Sequence, residues 1–163
     1  MRCLLFLMCF IKIAFNEKRD NIGSGPIDIP PMEMHTNSTW VSFGEEYDSW
    51  NEDRLSEALE GASKALHSFI PLFIHCDRSD VSVVPQVKAT HSERPTVFVY
   101  DSYPGGIGLS EKVYDVLIPL IKETISHVSN CSCVNGCPAC IGPRNTLDQT
   151  AKSDTINILK SIL

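Results

Sequence analysis

Between residues 51 and 76 apolar positions recur every three or four residues: Leu55, Ala58, Leu59, Ala62, Leu66, Phe69 and Phe73. This is the stripe of an amphipathic helix. Asn51 stands where a side chain caps the first turn, and Glu52 and Asp53 complement the positive helix end. Pro71 is expected to kink or end this helix. A second stripe, Leu109, Val113, Val116, Leu117, Leu120, Ile121 and Val128, predicts one long helix over 109–130, bent at Pro119. A third helix is predicted near the C-terminus, with Ala151, Ile158, Leu159 and Ile162 facing inward. Short β-rich runs lie between the helices. "STWVSF" and "TVFVYD" read as strands, with Trp40 as a core anchor, and "CDRSDVSVV" reads as a polar turn into a short strand. "CLLFLMCFIKIAF" reads as a buried strand ended by the charged turn "NEKRD", and the Gly- and Pro-rich stretch after it as a link. Strands mixed with long helices imply an α/β, mixed α+β fold: a small sheet packed by two or three long helices.

The 163 residues fit one domain with a real core. Domain limits are set at 1–10, an apolar N-terminal segment read as a strand of a truncated domain, and 11–163. The apolar run is too short to span a bilayer, and no small-x-small cleavage site follows it, although its basic start and apolar core have the outline of a signal peptide. The net charge of −6 excludes an overall basic field for gripping nucleic acid. No low-complexity stretch or internal repeat is present.

Cysteine spacing changes the picture most. Four of the seven cysteines fall in "NCSCVNGCPAC", as Cys131-x-Cys133-x3-Cys137-x2-Cys140. Tetrahedral zinc takes four such ligands, and a chain reversal at "VNG", where Asn135 and Gly136 tolerate positive φ, can bring two pairs together. Backbone amides and Arg144 are candidates to offset the formal −2 charge. An all-sulfur shell leaves no place for a catalytic water, so such a site is structural. Disulfides and an iron–sulfur cluster are the alternatives, the first requiring an oxidising compartment and the second more room. Cys3, Cys9 and Cys76 sit in apolar contexts and read as small buried hydrophobes.

No nucleophile–base pair is legible. "TVFVYDSYPGGIGLSEK" runs from strand through glycine turn to helix, which invites a phosphate-binding reading, but neither the P-loop nor the dinucleotide spacing is met. Gly105 and Gly106 are expected to let the chain turn, and Gly108 to let the helix pack close to the strand. Asp101 sits where α/β proteins place functional groups and equally where a turn is capped. Asp77 and Asp80 read as a helix-terminating turn before a carboxylate pair. His35, His67, His75, His91 and His127 share no ligand spacing.

Taken together, "NIGSGPIDIPPMEMHT", "CDRSD", "VFVYDSYPGGIGLSEK" and "CSCVNGCPACIGPRNTLDQTAK" resemble one family, the C-terminal zinc-binding domain of MrfA-type superfamily 2 DNA repair helicases. The resemblance runs from about residue 11 to the end. It implies one structural Zn2+ held by Cys131, Cys133, Cys137 and Cys140. It also implies a helicase-associated accessory domain in the cytoplasm, partnered by helicase motor domains, in cis or in trans, and by DNA through that complex, with no membrane. It supplies no catalytic residue. The family's two RecA-like motor domains have no counterpart here, so the chain alone is expected neither to hydrolyse ATP nor to unwind DNA; it reads as a fragment or a stand-alone relative. Two other readings are kept: a small enzyme or phosphate-binding protein centred on Asp101 and the glycine loop, and a secreted disulfide-bonded protein.

Overall fold

The computed structural model describes residues 2–4, 11–16, 18, 20–26, 34–143 and 149–163. Its first strands are β1 (Arg2–Leu4), β2 (Ile11–Phe15), β3 (Asn21–Pro26) and β4 (His35–Ser42). They are followed by α1 (Glu52–Ile74), β5 (Val81–Gln86), β6 (Thr96–Asp101), α2 (Leu109–Asp115), α3 (Leu117–Asn130) and α4 (Ala151–Lys160). The mixed α+β class is as expected. One antiparallel sheet has the order β1-β4-β6-β5, and β2 and β3 form a separate two-stranded ribbon.

Part of the N-terminal reading needs correction. Residues 2–4 of the predicted strand pair with β4 and residues 11–15 pair with β3; residues 5–10, which would join them, lie outside the described residues. The stretch read as a link contains β3, with Gly23 and Gly25 in register with Ala14 and Lys12. Antiparallel backbone hydrogen bonds need no side chain, so glycine weakens such a ribbon without forbidding it. The turn between β2 and β3 is closed by Asn16, whose Oδ1 accepts from the Asp20 amide at 2.8 Å.

Helix α1 begins as its sequence requires, with Asn51 Oδ1 accepting from the Asp53 amide at 2.9 Å. It continues three residues past Pro71 and ends on His75, in the left-handed region at φ 54°. The second predicted helix is two. α2 ends at Asp115 and α3 starts at Leu117, leaving Pro119 in the first turn of α3. A proline ring clashes with the carbonyl four residues back, here that of Asp115, while in a first turn its missing N–H costs nothing. The break therefore falls before the proline rather than at it.

In the sheet, Val41, Val97, Val99, Val81 and Val83 pack with α1, α2, α3 and α4 side chains in the main core. Trp40 is not part of that core. It is half-buried and pairs across the strands with Phe98, which belongs to the opposite face by strand alternation, and the exposed His91 rests edge-on against both rings. Pro85 is tolerated because β5 is an edge strand. A smaller core of Ala65, Val128, Cys140, Ile141 and Ala151 joins α1, α3 and α4 around the cysteine segment.

Candidate metal centre

The four-cysteine segment starts where α3 stops. The Cys131 amide still donates to the His127 carbonyl at 3.2 Å, and the chain then leaves the helix. It reverses at Gly136, with φ 103°; Asn135 does not share that conformation, so glycine alone makes the turn. A side chain at Gly136 would also strike Ile141. After the reversal, the Cys140 and Ile141 amides both donate to the Cys137 carbonyl at 3.1 Å, forming a tight turn that presents its sulfurs inward.

The Sγ atoms of Cys131, Cys133, Cys137 and Cys140 all lie within 4.8 Å of one another. The short approaches cross the reversal: 3.6 Å for Cys131–Cys137 and 3.5 Å for Cys133–Cys140, with Cys137–Cys140 at 3.6 Å. A tetrahedron with metal–sulfur bonds of about 2.3 Å has edges of about 3.8 Å. The cluster is therefore able to hold one zinc ion, and the donor set fits a closed structural shell rather than an open catalytic one. Cys76, Cys131, Cys133, Cys137 and Cys140 are not in a disulfide.

The electrostatics point the same way. The Ala139 amide, then hydrogen bonds from the neighbouring thiols, lower the Cys137 thiol to about 7. Burial pushes Cys140 up to about 12, against the pull of the Cys137 amide, which donates to its sulfur at 3.2 Å. One thiolate is easy here and a second beside it is not, unless a cation shares the space. A fixed positive charge already stands at the edge of the cluster. Lys152 Nζ donates to the carbonyls of Cys131 and Cys133 at 2.7 and 2.9 Å, tying the first cysteine pair to α4. Sequence reading did not find Lys152, since nothing in its local pattern separates it from a solvent lysine. Arg144, the expected charge partner, lies outside the described residues. Cys76 is half-buried at the margin of the main core.

The glycine loop has a different role from phosphate binding. Asp101, fully buried at the end of β6, turns its carboxylate into the start of α2. Oδ2 accepts from the amides of Ile107, Gly108 and Leu109 at 2.6, 2.8 and 3.2 Å, and Oδ1 accepts from Ser110 at 2.7 Å. Burial raises its pKa, but the amides of Ser110 and Ile107 outweigh that and leave it below the usual carboxylate value. The amides that would receive an anion are taken by the chain's own, so a phosphate site or an enzyme centred on Asp101 is not favoured. Gly108 takes φ 84° with open space where a side chain would sit, so it is needed for conformation. Gly106 is the close-packed glycine, against Asn37. Thr36 Oγ1 holds this loop to β4, 2.8 Å from the Asp101 carbonyl and 2.9 Å from that of Tyr103.

The remaining candidates are structural. Asp77 and Asp80 form a reciprocal cap of one helical turn, and Asp80 accepts from the Tyr103 hydroxyl at 2.8 Å. His67 Nε2 lies within 3.0 Å of the Arg78 and Val81 carbonyls. The structure does not bring the five histidines together: His35 is exposed, His75 ends α1, His91 lies on Trp40, and His127 rests against Phe69.

Residues 62–141, which include all four clustered cysteines, match the family described as the MrfA Zn-binding domain. The uncharacterized ATP-dependent helicase YprA of Bacillus subtilis (strain 168) is 43% identical over 123 residues, covering 76% of this chain and 16% of that protein. The uncharacterized protein MJ1572.1 of Methanocaldococcus jannaschii is 30% identical over 74 residues, 44% of this chain and 66% of that protein. Among solved structures, the DUF1998 helicase MrfA bound to DNA superposes with a TM-score of 0.81 at 37% identity, over 94% of this chain and 20% of that one. The chain thus spans about a sixth of YprA and a fifth of the MrfA chain.

Proposed function

Because this chain belongs to the MrfA-type zinc-binding domain family, a helicase-associated module, we propose that it braces a helicase motor through a rigid, zinc-stapled surface. Cys131, Cys133, Cys137 and Cys140 hold the one ion, which supplies a cross-link and no reaction chemistry. The observation that carries this is the convergence of four sulfurs between α3 and α4, backed by the Lys152 clamp. Residues 11–163 make up the accessory unit, and residues 1–10 are an apolar segment read as a strand of a truncated domain. DNA is reached through the complex, because a net charge of −6 opposes direct binding. A helicase such as YprA, of which the matched region is 16%, has room for the motor domains in cis. MJ1572.1, of which the matched region is two thirds, supports a partner in trans as well. A cytoplasmic place is part of this reading, in keeping with a bacterial helicase relative such as YprA; among the described residues no helix is long and apolar enough to cross a membrane.

The test is elemental analysis of the chain purified under reducing conditions, joined to capture of a motor-only helicase chain. One zinc per chain, lost in Cys137→Ser/Cys140→Ser, and motor capture by the zinc-loaded form are expected. A well-folded chain free of transition metal would overturn the ligand assignment. Zinc-loaded protein that captures neither motor nor DNA would overturn the accessory role.

A further inference from the structure

The segment entering α1 and the β5–β6 loop flank an open cleft of about 440 Å3. Leu55, Val87 and Pro95 form its apolar lining, and the rings of Tyr47 and Trp50 meet there edge to face at 5.2 Å. Its lining carboxylates are Asp48, Glu52 and Glu93, all exposed, against one lysine, Lys88, which is 3.2 Å from Glu93. Glu93 is held at this rim by a left-handed backbone, φ 56°, with its amide donating to the Ala89 carbonyl at 2.7 Å. Tyr47 is buried, so the half-exposed Trp50 is the ring a ligand meets, and an acid-rimmed recess with such a ring selects cations that carry a flat or aliphatic body. One face of Trp50 is already taken by the chain's own Arg54, whose guanidinium lies 4.0 Å over the ring while pairing with Asp154, so an incoming cation meets the remaining ring surface and the carboxylate rim.

We propose that this cleft is the docking site for an arginine-bearing segment of the helicase motor polypeptide. The proposal deepens the accessory reading and rests on it. Charge complementarity decides the occupant. The surplus of negative charge on the cleft and on the whole chain repels a nucleic acid and attracts a basic peptide. The apolar lining adds contact for an arginine stem that a purely acidic patch would lack.

The probe is acetyl-tetraarginine amide, titrated calorimetrically into the zinc-loaded chain, with acetyl-tetraglutamate amide as its opposite. Saturable arginine binding is expected, weakening about tenfold between low and physiological salt. Glu52→Gln/Glu93→Gln should abolish it, whereas Glu111→Gln/Glu123→Gln, which removes the same charge from exposed α2 and α3 positions, should leave it within about twofold. Circular dichroism confirms that each variant is folded, and Asp48→Asn gives a second reading at the same rim. Equal weakening by both double variants, or no saturable binding, overturns the proposal. If the wild-type chain captures a motor and Glu52→Gln/Glu93→Gln captures it equally well, the cleft assignment falls while the accessory role stands.

Discussion

At the scale of single residues, two side chains carry more than their positions suggest. Asp101 satisfies four amides at the start of α2 with one carboxylate. Asn at 101 offers one acceptor oxygen and turns an NH2 group toward donors, so Asp101→Asn should cost about 2–4 kcal/mol in urea unfolding at pH 7. The folded-state pKa of Asp101 lies below its ordinary value. Its stabilisation is therefore fully present above the unfolded pKa of about 3.9 and is lost as pH falls through the folded value. The wild-type advantage over Asp101→Asn should shrink in that acid window; an advantage constant with pH would refute the charge-based account. Lys152 is the second case. Lys152→Met keeps the stem but removes two hydrogen bonds and the charge beside the sulfur cluster. Chelator competition should show zinc held about 10- to 100-fold more weakly, the usual effect of losing an outer-shell partner.

At the scale of elements, the packing of α4 on α1 sets the frame for the cysteine segment. Gly61 lies where the two helices approach, and a methyl group there would strike Thr155 of α4. In an isolated helix Gly→Ala gains about 1 kcal/mol. Here overpacking of about 1–3 kcal/mol opposes it, so Gly61→Ala should lower the melting temperature. Adding Thr155→Ala removes the struck hydroxyl and should recover part of the loss. A melting temperature raised by Gly61→Ala alone would show that the helices have room to separate. The same interface holds the bidentate Arg54–Asp154 pair, 2.7 and 2.8 Å, with Asp154 buried and Arg54 partly in solvent. Because Asp154 has almost no water of its own, the pair fixes how α4 sits along α1 more than it adds net stability.

At the scale of the whole molecule, two cores of different kinds meet on α1. The larger one is built from sheet and helices and needs no ion. The smaller includes a cysteine of the cluster and has few apolar members. Zinc removal should therefore loosen the molecule unevenly. In hydrogen exchange after chelation, residues 131–142, the end of α3 and the first turn of α4 should lose protection, while β4, β6 and the start of α1 keep theirs. Uniform loss of protection would mean that the ion supports the entire fold.

Much of the site was legible in the order of residues, because metal ligation by a short loop is local. Four thiols within eleven positions, with a glycine between the pairs, can hardly avoid one another once the chain reverses. Helix periodicity, the Asn51 cap and the β6 strand were equally local and equally readable. What lay beyond the sequence were relations between segments far apart in it. Lys152 reaches back about twenty residues to the cysteine carbonyls, and Trp40 faces away from the core because strand register, not hydrophobicity, assigns its side. Asp101 is the sharpest case. Its position at a strand end before a glycine turn suits an anion-binding protein and a self-capped turn alike, and only the direction in which the buried carboxylate points tells them apart. The sequence by itself determined the metal-ready cluster and the helices flanking it. Tertiary structure decided which charges face that cluster and which amides are already taken, because those depend on distances that close only when separate elements pack.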